Sequence, residues 1–142
     1  MIGLLLAIIA GVSMSLQGVF NTRLYLKIGC WQTNLIVQGT AFIFTLIIFL
    51  FVRDGNIRAI RDVNKLYLSG GLIGVIITFT VMKSIHQLGT TYAILTILLA
   101  QLLSAALIDA FGLFDSTKIT FSTSKILGVI LMLIGIILFK RK

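Results

Sequence analysis

Residues 2–20 read IGLLLAIIAGVSMSLQGVF, and no charged side chain occurs between Ile2 and Thr22. A helix of that length rises about 30 Å, the thickness of bilayer hydrocarbon. A secretory leader carries Lys or Arg ahead of its apolar stretch; none stands here, so the segment reads as a retained membrane helix. Four similar runs follow, Leu35–Val52, Leu66–Met82, Thr91–Ile108 and Ile126–Phe139, the last beginning near Phe121. RDGNIRAIRDVNK (53–65) and DSTKITFSTSK (115–125) are the polar segments between them, and HQLGTT (86–91) makes a very short turn. The pattern predicts an all-α integral membrane bundle of five transmembrane helices. It is a single domain over 1–142, with helices near 2–22, 35–52, 66–84, 91–109 and 121–139. The first helix has room to run on to Ile28 with Arg23 snorkelling, and the Gly89 turn predicts a helical hairpin.

Composition agrees. Of 142 residues, 58% are hydrophobic and 11% charged, with no proline, against about 25% charged in soluble domains. The net charge of +8 sits mostly between and after the apolar runs. It therefore points to topology control and anionic lipid headgroups rather than nucleic acid. Tyr25, Trp31, Tyr67 and Tyr92 fall near run ends, where amphipathic rings settle at a membrane interface. One cysteine, Cys30, allows no disulfide within the chain, and with one histidine it makes no metal cluster. No pair of carboxylates converges, no nucleophile elbow occurs and no phosphate-binding glycine loop is present. The expectation is a chain without enzymatic activity, metal or cofactor.

Five helices put the termini on opposite sides of the membrane. One side then holds Arg23, Lys27, Lys83, Lys140, Arg141 and Lys142; the other holds Arg53, Arg58, Arg61, Lys65, Lys118 and Lys125. Orientation follows Lys/Arg bias, and here the two sides are equal. Equal bias predicts insertion both ways, and two oppositely inserted copies can pair about an axis in the membrane plane, as in inverted-repeat transporters. Small residues supply close-packing seams: Gly3, Ala7, Gly11 and Gly18 in the first helix, Gly70 and Gly74 in the third, Gly128 and Gly135 in the fifth.

Ser13, Gln17 and Asn21 recur every four residues and share a face of the first helix. Polar side chains in hydrocarbon need partners, whether another helix, water or a ligand. Gln38 is placed to face Gln17 across a helix pair. Gln101 and Ser104 mark the fourth helix, and Asp109 is the acid nearest the membrane core. These residues are candidates to bind a small polar solute, with Asp109 and His86 as candidates for proton or ion coupling. Lys83 and His86, three residues apart, share a face.

LQGVFNTRLYLKIG (16–29), SGGLIGVIITF (69–79), AQLLSAALIDAFGLF (100–114) and ILGVILMLIGIIL (126–138) resemble the helices of the YdcZ-type five-helix family of the drug/metabolite transporter superfamily. The resemblance implies a bacterial inner-membrane, EamA-like half-transporter, one half of a ten-helix arrangement. It also implies an antiparallel homodimer or a pair of related subunits. It assigns Gln17, Asn21, Gln101, Ser104 and Asp109 to the site. Ala110 stands where relatives are expected to carry histidine. A more distant similarity is to small multidrug resistance exporters, whose first-helix glutamate has Gln17 in its general place.

The leading expectation is secondary transport of a small polar metabolite or drug-like solute by alternating access. The alternatives are a subunit of a heterodimeric transporter, a passive channel and a non-transporting membrane scaffold. Dual insertion is directly measurable. Single cysteines at Asn56 and at the C-terminus, with Cys30 replaced, should each be labelled by an impermeant maleimide in a fraction of molecules in intact cells. Labelling of one position alone would mean a single orientation.

Overall fold

The computed structural model describes residues 1–52, 55–119 and 122–140. Five helices account for most of them: α1 (Ile2–Ile28), α2 (Cys30–Phe51), α3 (Gly70–Leu88), α4 (Thr90–Phe111) and α5 (Thr123–Lys140). Short 3-10 turns at Ile57–Asp62, Lys65–Ser69 and Leu113–Asp115 lie in the connections, and no strand occurs among the described residues. All five helices are long and apolar enough to cross a membrane, the third with its preceding turn spanning Lys65–Leu88. Phe121, and Arg53, Arg141 and Lys142 of the charge count, lie outside the described residues.

α1 runs without interruption through Arg23 and Lys27, both exposed, to Ile28. It ends because Gly29 adopts φ 92° and ψ 164°, a region essentially closed to residues with a Cβ. The Gly29 N–H still donates to Tyr25 O at 2.9 Å, and its carbonyl accepts from Thr33 N at 3.2 Å. One residue therefore closes one helix and opens the next, so α2 starts at Cys30 rather than Leu35. Gly89, at φ 79° and ψ 158°, does the same between α3 and α4.

The chain divides into two compact units, Met1–His86 and Gln87–Lys142. Within the first, α1 and α2 pack together and α3 contacts both. Its buried residues are Gly18, Asn21 and Thr22 on α1, Thr33 and Asn34 on α2, and Met82 and Ile85 on α3. Met82 and Thr33 are fully enclosed. The large aliphatic side chains of α1 and α2 instead stay mostly exposed. That inversion of a soluble core is what lipid favours, since acyl chains solvate Leu as well as protein does. The hydroxyls need no outside help: Thr22 donates to Gly18 O at 2.7 Å and Thr33 to Gly29 O at 2.8 Å. In the second unit α4 and α5 pack together, with Ala93 buried.

Among the described residues, two of the expected seam glycines meet a neighbour on another helix. A Cβ built on Gly18 would lie 2.9 Å from Ile85 Cδ1 and 3.3 Å from Val81 Cγ1; one on Gly74 would lie 3.6 Å from Gln38 Nε2. Gly3, Gly11, Gly70, Gly128 and Gly135 have nothing within 4 Å. Gly18 thus leaves room for the Val81 and Ile85 side chains of α3. Gly18→Leu should destabilise the protein by about 1–3 kcal/mol through overpacking, as read by thermal unfolding in detergent. Gly3→Leu should be near neutral, and Ile85→Val should recover part of the Gly18→Leu loss.

Candidate functional site

The face of α1 carrying the four-residue polar repeat changes character along its length. Ser13 and Gln17 are exposed, whereas Asn21 is 9% exposed and counts among the buried residues. Gln17 immediately precedes Gly18, which packs against Val81 and Ile85 of α3.

On α2, Gln38 is half-buried, and its Nε2 donates to Thr78 Oγ1 on α3 at 3.2 Å. The amide is thus committed to α3, not to the expected partner Gln17. One turn earlier, Asn34 Nδ2 donates to Val75 O at 2.9 Å. Asn34 is 2% exposed, and its Oδ1 has no hydrogen-bond partner in the structure. Trp31 stacks on Phe79, ring centroids 5.1 Å apart and planes 28° apart. A ladder of Trp31, Asn34 and Gln38 therefore joins α2 to α3 along one face, as their spacing on a helix requires. Asn34 escaped the sequence reading because the second helix was expected to start one residue after it. The signal was present: Asn34 and Gln38 repeat the four-residue amide spacing of Gln17 and Asn21.

Tyr25, expected only as an interfacial ring, is the meeting point of α1 and α3. Lys83 Nζ donates to its hydroxyl at 3.0 Å and lies 4.9 Å from its ring centroid. The His86 ring meets it edge-on, centroids 5.6 Å apart at 84°. Lys83 and His86 do share a face, and Tyr25 is what that face touches.

In the second unit, Gln101 and Ser104 are exposed on α4 and Asp109 is half-buried near its end. The Asp109 backbone carbonyl accepts from Ile119 N at 2.9 Å, tying the following connection back onto the helix end. An open groove of about 470 Å³ lies along Gln87–Tyr92 and reaches Phe139 and Lys140. Lys140 Nζ sits 5.6 Å from the Tyr92 ring centroid there.

Comparison with known proteins identifies the family. The family described as "Putative inner membrane exporter, YdcZ" matches residues 2–138. The chain belongs to the YdcZ family. No curated protein and no solved structure matches it. As a YdcZ-family protein it is a multi-pass, all-α protein of the inner membrane, and its family carries the description of an exporter.

The α2–α3 ladder yields a stability prediction for this YdcZ-family fold. Asn34→Ala removes a hydrogen bond and leaves a small void. It should lower stability by about 1–2 kcal/mol. Asn34→Leu loses the same amide but fills the space, so it should lose less. Thermal unfolding of the purified full-length variants in detergent decides between the two.

Proposed function

We propose that this chain is one half of an exporter for a small polar solute. In this reading two copies, or two related chains, insert oppositely and enclose a polar chamber by alternating access. The observation that carries it is the exposure of Ser13 and Gln17 on α1 and of Gln101 and Ser104 on α4, all on membrane-spanning helices. Hydrocarbon satisfies none of these groups. A second bundle and the solute between the two would. The equal division of Lys and Arg between the two sides supports opposite insertion.

Within the first unit, Gln17 is the proposed solute contact, with Ser13 beside it and Asn21 and Gln38 supporting from the packed end. Gln101 and Ser104 are the second uncovered polar set. A primary amide both donates and accepts, which suits a neutral, zwitterionic or weakly charged solute. Asp109 and His86 are the side chains proposed to couple protons or ions to transport.

Cells expressing the wild type should enrich their medium in at least one small polar solute relative to vector controls, measured by mass spectrometry. Gln17→Ala should unfold at the wild-type temperature yet lower that enrichment about tenfold, the equivalent of one good hydrogen bond to the solute. Unchanged enrichment would remove Gln17 from the path.

A further inference from the structure

We propose that Lys83 and Tyr25 form a recognition site for an oxyanion, a phosphate or carboxylate group, where α1 meets α3. The site stands on geometry independent of the transport reading. Lys83 is half-buried and lies inside the third membrane span, about 8 Å along the axis from the helix end at Leu88. A cation so placed gains from a nearby anionic or acceptor group. No carboxylate pairs with it among the described residues; its polar partner is the Tyr25 hydroxyl at 3.0 Å.

Acids are scarce in the first unit. From Met1 to Arg53 there is no Asp or Glu, and the acids of the first unit, Asp54 and Asp62, fall in the connection before α3. Gly70, which opens α3 after that connection, is about 20 Å along the axis from Lys83.

The pair also presents donors of one kind. Lys83 gives one N–H to the phenol oxygen and keeps two others. The phenol, having accepted, still has its own O–H to donate. His86, edge-on to the same ring, adds a ring N–H at the rim. Neighbouring donors beside a cation with no carboxylate partner among the described residues match the several acceptor oxygens of a phosphate or carboxylate, and charge-assisted bonds to such a group are the strong ones.

The test is equilibrium binding, so its failure is separate from any failure of export. The full-length protein is labelled with ¹³Cζ-tyrosine in a phosphate-free maltoside detergent. It carries three tyrosines, and Tyr25→Phe assigns the Tyr25 line. Inorganic phosphate is titrated against chloride at fixed ionic strength, and phosphatidylglycerol is added to separate samples. The Tyr25 line should shift saturably. Lys83→Met should weaken the apparent affinity about tenfold or more, Lys83→Arg should retain most of it, and Lys27→Met should leave it unchanged. A shift with inorganic phosphate supports the site for soluble oxyanions; a shift with phosphatidylglycerol alone supports it for a lipid headgroup. No shift with either probe, or an equal loss in Lys27→Met, overturns it.

Discussion

Hydrocarbon offers a polar side chain nothing to bond to, and the placement of nearly every polar group in this protein follows from that. Thr22, Thr33, Thr40 and Thr80 turn back onto carbonyls of their own helices, the one solution that needs no neighbour. Asn34 and Gln38 reach α3. Lys83 reaches Tyr25. Gln17 and Gln101 are left exposed on their helices.

The same constraint explains why, apart from Met82 and Ile85, the packed interior of the first unit is polar and small. Burying leucine against leucine gains little when the alternative is lipid, whereas an interhelical hydrogen bond and a glycine contact each gain something that lipid cannot match. Gly18 against Val81 and Ile85, and the amide ladder of α2, occupy the same stretch of the bundle as the buried threonines. The helices are held by a few directed contacts, and their large aliphatic surfaces are left to the bilayer.

The membrane class and the number of helices were legible from uncharged length alone, because that signal is one-dimensional. The resemblance carried by LQGVFNTRLYLKIG and AQLLSAALIDAFGLF agrees with the family match over residues 2–138. Pairing between helices was less legible. Gln38 is bonded to Thr78 because α2 meets α3 on that face, and nothing in residue spacing says which of two neighbours a helix face will find. Tyr25 was read by its ring, as an interfacial residue; its hydroxyl proved the more telling atom. Asn34 was lost to a helix boundary, since a glycine that bridges two helices in a single residue resembles the longer loop it replaces.

Gly29 has a mechanical consequence. Because one residue joins α1 to α2, the two are fixed there like the arms of tongs at their rivet. Neither arm can slide past the other. Any parting of the pair must vanish at the glycine and be widest at Ile2 and Phe51, so a gate formed by these two helices would have one working end.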